Sequence, residues 1–116
     1  MLSKREIERF EENRTKNYLR ALDIIYNSQK ILGLSDEICE RACDILEKEI
    51  FKDITKMEEI PYKNRQPKTL ASAAIYLATV EYGDAIPQKK IGKVTGASEN
   101  AISTSFNEMA TSQGVF

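Results

Sequence analysis

The sequence predicts an all-α domain of five helices, four of them packed around a central helix rich in alanine. Apolar residues recur at spacings of three and four, which is typical of helices with one buried face. No stretch of five or more residues alternates apolar and polar side chains, so no strand is indicated. A chain of 116 residues with 41% hydrophobic content fits one domain with one core.

The first helix is predicted to run to Leu32, either as one helix or as two joined near Asn13 and Arg14. Ser3 and Glu6 have the spacing of a capping box at its start. Residues 1–13 carry few apolar side chains and are assigned to an N-terminal arm or helix extension, and residues 14–116 to the domain. The side chains expected to form the buried face are Tyr18, Leu19, Leu22, Ile25 and Tyr26, with Leu32 as a further candidate.

A second helix is predicted to begin at Ser35–Asp36 and to end around Thr55, before an irregular connection over residues 56–65. Its inward-facing side chains are predicted to be Ile38, Ala42, Ile45, Leu46, Ile50 and Phe51.

The central helix is predicted to begin at Pro67, which suits the first helical position, and to stop before Gly83. It has almost no polar face, so we expect neighbours on most of its sides. At roughly 15 residues it is shorter than the ~20 that span a bilayer, so no membrane location is expected. The charged N-terminus does not resemble a signal peptide, which predicts an intracellular protein.

A helix-turn-helix is predicted over residues 87–112. A short helix over residues 88–95 is followed by a turn at Gly96, and Ser98 can cap a last helix over residues 99–112. Ile91 and Ile102 are placed to hold the two helices at a fixed angle, and Gly96 permits the positive φ that the turn needs. The pattern alone is weak, because many helical pairs share it.

Charge and composition limit the classes of function. The formal net charge is −1, but residues 61–107 contain six basic and three acidic side chains. The chain has no histidine, no glycine-rich phosphate loop and no Gly-x-Ser-x-Gly motif, so no enzyme is predicted. Cys39 and Cys43 lack two further ligands for zinc, and no cofactor is expected.

Two stretches resemble the cyclin-like repeat of transcription initiation factor IIB and its archaeal counterpart. Arg65–Ala78 is similar to the family's basic-polar-Pro start and alanine-rich helix, and Gln88–Ile102 is similar to its Gln-Lys-Glu-Ile-Gly helix, turn and recognition helix. The resemblance is closer to the second, C-terminal repeat than to the first. It implies a five-helix cyclin-like fold that ends in the helix-turn-helix.

The resemblance also implies a function. The helix-turn-helix would bind double-stranded promoter DNA next to the TATA box, together with TATA-binding protein. RNA polymerase would be contacted through regions that this chain lacks, such as the family's zinc ribbon. The location would be the nucleus in a eukaryote and the cytoplasm or nucleoid in an archaeon.

Residues are carried over by position onto this chain. The base-facing residues would be Asn100, Ala101, Ser103, Thr104 and Asn107. The residues facing phosphates would be Lys68, Gln88, Lys89, Lys90, Lys93 and Ser98. Ser103 stands where the family commonly has an arginine that contacts base edges, and a serine lacks the arginine's selectivity for guanine.

A second hypothesis stays open, in which the cyclin-like fold is a protein-interaction adaptor without DNA contact. The near-neutral net charge, the acidic second helix and Ser103 favour it. A contiguous positive patch beside the last helix would favour DNA, and scattered lysines with an exposed apolar groove would favour the adaptor.

Overall fold

Five α-helices make up most of the computed structural model, which describes residues 3–51 and 66–114. In chain order the helices are α1 (Lys4–Leu32), α2 (Asp36–Ile50), α3 (Pro67–Glu81), α4 (Gln88–Thr95) and α5 (Glu99–Ser112). Within those two ranges no strand occurs, and the all-α prediction is confirmed. The predicted connection over residues 56–65 lies outside the described residues.

α3 is the centre of the fold and contacts each of the other four helices. Pro67 occupies its first turn, as predicted, and ten of its 15 residues are buried. Ala71, Ala74 and Ala78 are fully buried, and their short side chains allow neighbouring helices to approach the backbone of α3 closely. The prediction of a central helix enclosed by four others is therefore confirmed.

α1 is one continuous helix of 29 residues, which decides between the two alternatives left open by the sequence. The Ser3 hydroxyl accepts the Glu6 backbone N–H at 3.2 Å, and it lies 3.0 Å from the Glu6 carboxylate. Residues 4–13 continue the same helix, whereas the position at which the domain begins along α1 stays a prediction.

The buried face of α1 agrees in part with the prediction, since Ile25 is buried and Tyr18 and Leu22 pack against the core. Leu19 and Tyr26 are 56% and 58% exposed, so their assignment to the core is wrong. The residues that α1 buries are Ala21, Ile25, Ser28 and Leu32. Two of these have short side chains, which let α1 lie close to its neighbours and leave the larger Leu19 and Tyr26 outside.

α2 buries the five aliphatic residues assigned to its inner face, from Ile38 to Ile50. It ends at Ile50 with Phe51 as its C-cap, earlier than the predicted end near Thr55, a residue outside the described part of the chain. The Phe51 side chain is 40% exposed rather than enclosed, and its ring packs edge-on against Tyr18 at 5.0 Å.

A two-pronged ion pair fastens α2 to the end of α3. Arg41 Nε donates to Glu81 Oε2 at 2.7 Å, and Arg41 Nη2 donates to Glu81 Oε1 at 3.0 Å. Both side chains are mostly buried, with 26% and 18% of their surface exposed. The hydrogen bonds to Glu81 raise the pKa of the Arg41 guanidinium.

Candidate nucleic-acid interface

The helix-turn-helix has the bounds that the sequence predicts. Gly96 adopts φ +87° between α4 and α5, and its N–H donates to the Gly92 carbonyl at 2.8 Å. The Ser98 hydroxyl accepts the Ala101 N–H at 3.2 Å and caps α5. Both the positive φ and the cap are confirmed. Ile91 and Ile102 are fully buried between the helices, as expected.

Gly92 allows a close approach that the sequence pattern does not reveal. A Cβ atom on this residue would lie 2.5 Å from the carbonyl oxygen of Ala97 and 3.6 Å from Ile102 Cδ1. Real Cβ atoms essentially never come closer than 3.0 Å to such a neighbour. Gly92 is therefore required by the path of the turn rather than by its own backbone angles.

Two hydroxyl groups connect the turn to α3. The Ser72 hydroxyl donates to the Lys68 carbonyl and lies 2.6 Å from the Thr95 hydroxyl. Thr95 Oγ1 in turn accepts the Ala97 N–H at 3.3 Å. Ser72 is fully buried, so this polar contact fixes the helix-turn-helix against the first turns of α3.

An aromatic contact holds α5 on the same central helix. The rings of Tyr76 and Phe106 meet edge to face, with centroids 4.8 Å apart and an interplanar angle of 75°. Tyr76 is thus a packing residue. With its inner side held in this way, α5 presents its other side outward.

The outward side of α5 carries most of the predicted base-facing residues. Asn100, Thr104 and Asn107 are exposed and follow one another at spacings of four and three. Ala101 and Ser103 are half-buried and lie toward the edges of this face. The Thr104 hydroxyl donates to the Asn100 carbonyl at 2.9 Å, so its oxygen remains available mainly as an acceptor.

The predicted phosphate-facing lysines come from two helices. Lys89, Lys90 and Lys93 are exposed on α4. Lys68 belongs to α3, but its side chain reaches the turn, because a Cβ atom on Gly96 would lie 3.8 Å from Lys68 Cδ and 4.0 Å from its Nζ. The fold therefore brings a cation from the central helix to the helix-turn-helix.

Gln88 and Ser98 lie at the N-terminal ends of α4 and α5, respectively. Gln88 is half-buried as the first residue of α4, whose N-cap Pro87 provides no side-chain hydrogen bond. Ser98 is exposed, and its hydroxyl proton remains available while its oxygen caps α5. Both groups lie where the amide N–H groups of a helix start face outward.

The two thiols lie on α2, a helix that does not contact α4 in the described part of the chain. Cys39 is buried and Cys43 half-buried, and both are free. Burial raises the pKa of the Cys39 thiol to about 11 and also raises the pKa of Cys43. Among residues 3–51 and 66–114, no three histidine, cysteine or acidic side chains cluster in a way that could hold a metal ion.

A family model described as "Transcription factor TFIIB repeat" matches residues 14–112 of the chain. The chain belongs to the TFIIB repeat family. The predicted cyclin-like, five-helix fold agrees with this membership. No helix in the described part of this TFIIB repeat is both long and apolar enough to cross a membrane.

Curated relatives of the TFIIB repeat include archaeal proteins named transcription initiation factor IIB. The Archaeoglobus fulgidus protein is 30% identical over 84 residues, which cover 72% of this chain and 24% of the relative. The Pyrobaculum neutrophilum protein is 33% identical over 79 residues, which cover 68% of this chain and 22% of the relative. The chain spans about a quarter of the length of these relatives. No solved structure matches it significantly.

Proposed function

We propose that this TFIIB repeat is a DNA-binding module of a transcription initiation factor, and that it binds promoter DNA next to the TATA box together with TATA-binding protein. The observation that carries the proposal is that two helices supply lysine side chains to the helix-turn-helix. Three lysines line α4 and Lys68 reaches the turn from α3, beside the exposed polar face of α5. Membership of the TFIIB repeat family supports the same function.

The roles divide between the helices. The α4 lysines and Lys68 contact phosphates, and Gln88 and Ser98 add donors at the helix starts. The exposed face of α5 enters the major groove, with Asn100 and Asn107 as the side chains suited to adenine edges. Ala101, Ser103 and Thr104 complete the base-facing set. Because α5 contains no lysine or arginine, its contacts discriminate bases without adding electrostatic attraction.

A charge reversal on α4 tests the proposal. The probe is a duplex with a TATA box and its upstream element, with and without TATA-binding protein. About four lysine–phosphate contacts predict a slope of log affinity against log salt concentration near −4. Lys89→Glu combined with Lys90→Glu is expected to lower affinity at least about tenfold at ~50 mM salt, since it removes two contacts and adds two repulsions.

The matched control is Lys4→Glu combined with Lys48→Glu, which makes the same change in net charge. Lys4 is exposed at the start of α1, and Lys48 is exposed on α2, a helix that does not contact α4 among the described residues. Equal effects of the two double variants, or a salt slope near zero for the unmodified chain, would refute DNA binding through α4.

One observation favours the adaptor as a second candidate. Leu19, Tyr26 and Ile31 on α1 are each more than half exposed, at 56%, 58% and 68%. Leu19 and Tyr26 are seven residues apart and therefore share one side of α1, and a contiguous exposed apolar patch is typical of surfaces that bind other proteins. Full retention of a protein partner by the Lys89/Lys90 variant, without DNA binding by the unmodified chain, would favour this function.

A further inference from the structure

The sequence draws no attention to Arg20, yet the fold places it beside a lysine of the proposed DNA-binding surface. An open cavity of about 530 Å³ lies between the middle of α1 and the beginning of α3. Its lining residues are Arg20, Asp23, Ile24, Gln66, Pro67 and Lys68. Lys68 is the residue whose side chain also reaches the turn at Gly96. Lys68 therefore borders both the cavity and the turn of the helix-turn-helix.

We propose that Arg20 and Lys68 together form a phosphate-binding cleft, and that the phosphate is a backbone phosphodiester of the DNA held by the helix-turn-helix. This inference rests on the proposed function and extends its contact surface from α3 and α4 to α1. It assigns a DNA-contacting role to a helix that does not belong to the helix-turn-helix.

Electrostatics favour an anion in the cleft. Within the described ranges, neither Arg20 nor Lys68 forms an ion pair or a side-chain hydrogen bond. Two cations that share a cavity repel each other, and an anion between them converts this repulsion into two attractions. Because the cavity is open and Arg20 is exposed, water and salt screen these attractions, so each contact is expected to contribute modestly.

The chemistry of the two side chains suits a phosphodiester. A guanidinium presents a planar fork that matches two phosphate oxygens, and an ammonium acts as a compact point charge. The backbone of Lys68 is held in place because its carbonyl accepts the hydroxyl of buried Ser72. The backbone position of Lys68 is thus fixed, while the exposed side chain of Arg20 can adjust to the ligand.

Asp23 makes the inference testable in both directions. Its carboxylate lines the same cavity one turn along α1 and repels an incoming phosphate. Removing the Arg20 charge must therefore weaken DNA binding, and removing the Asp23 charge must strengthen it. A purely structural role for this part of α1 would not predict opposite signs.

The experiment measures the affinity of the 116-residue chain for one fluorescent duplex over a series of salt concentrations. Arg20→Gln is expected to lower affinity about three- to fivefold at low salt and to reduce the magnitude of the salt slope by about 0.9. Asp23→Asn is expected to raise affinity about twofold. Lys48→Gln is the control for a lost positive charge on a helix remote from α4, and it should leave the slope unchanged.

The outcomes separate the two proposals. If Lys89→Glu/Lys90→Glu abolishes binding but Arg20→Gln behaves like Lys48→Gln, the cleft is refuted and the proposed function stands. If the unmodified chain shows no salt-dependent binding either alone or with TATA-binding protein, the proposed function fails, and the cleft fails with it. Calorimetric binding of inorganic phosphate that Arg20→Gln removes, together with unchanged DNA affinity, would overturn the assignment to DNA and indicate a free anion.

Discussion

Gly92→Ala is the substitution whose effect on stability follows most directly from the geometry. In an exposed helix interior, replacing glycine by alanine stabilises a protein by about 1 kcal/mol. Here the added methyl group would lie 2.5 Å from the Ala97 carbonyl oxygen, whereas ordinary contacts begin at 3.4 Å. The backbone of the turn would have to move by nearly an ångström, because neither atom belongs to a flexible side chain.

The magnitude follows from two opposing effects. Overpacking in a closely fitted site costs typically 1–3 kcal/mol, and the gain in helix propensity offsets about 1 kcal/mol of that. Since the contact is with backbone, the upper part of the range applies, and the net destabilisation should be about 2 kcal/mol. For a chain of this length that corresponds to a fall in Tm of roughly 6–10 °C.

Thermal unfolding followed by circular dichroism measures this change. Lys93→Ala is the control on the same helix, because Lys93 is exposed and its replacement should change Tm by little. Binding to the promoter duplex should fall for Gly92→Ala even at temperatures at which the variant is folded, since the turn that sets the angle of α5 has shifted. A Tm equal to or above that of the unmodified chain would refute the close approach of Gly92 to Ala97.

Two further predictions concern the packing of α2. In a double-mutant cycle with Arg41→Ala and Glu81→Ala, measured by urea unfolding, the coupling energy should be about 1 kcal/mol. The reason is that the ion pair is bidentate and mostly buried. A coupling energy near zero would show that solvent screens the pair. The raised pKa of Cys39 predicts that its contribution to stability is present below pH 9.0 and is lost as pH rises toward about 11, since the unfolded thiol ionises first. Cys39→Ala should flatten the decline in unfolding free energy over that interval, and parallel curves for the two proteins would exclude the thiol as its source.

Local signals in the sequence were sufficient to predict the helix-turn-helix. Its helix bounds, the positive φ of Gly96 and the cap at Ser98 depend on residues within one or two turns of each other. The same holds for Pro67 at the start of α3. Such features are decided by backbone geometry and short hydrogen bonds, which the residue types specify directly.

The exposure of Leu19 and Tyr26 on α1 could not be predicted in this way. The apolar residues of this helix offer two overlapping faces, and the choice between them depends on the shape of the neighbouring helices. The alanines of α3 favour close approach, so α1 buries Ala21 and Ser28 and exposes Leu19 and Tyr26. Hydrophobicity alone predicts that the larger side chains are buried, whereas close packing buries the side chains whose shape fits the neighbouring helices.

In the proposed site, too, some features follow from local sequence and others depend on tertiary packing. The polar face of α5 follows from helical spacing, but the meeting of Lys68 with the turn depends on residues almost 30 positions apart. Residue type alone does not show why α4 contains Gly92, because the carbonyl of Ala97 that excludes a Cβ atom is placed by the path of the turn. Arg20 offered no signal at all, because its significance comes only from the residues across the cavity.

In this arrangement, DNA affinity and base discrimination come from different helices. α5 has no basic residue and begins with Glu99, so the electrostatic part of binding must come from α4, Lys68 and the proposed Arg20 contact. Phosphate contacts position a protein on any duplex, whereas base contacts choose among sequences. Loss of a lysine should therefore weaken binding to promoter and random duplexes by equal factors. Substitution of Asn100 or Asn107 should instead change the ratio of the affinities for the promoter duplex and the random duplex.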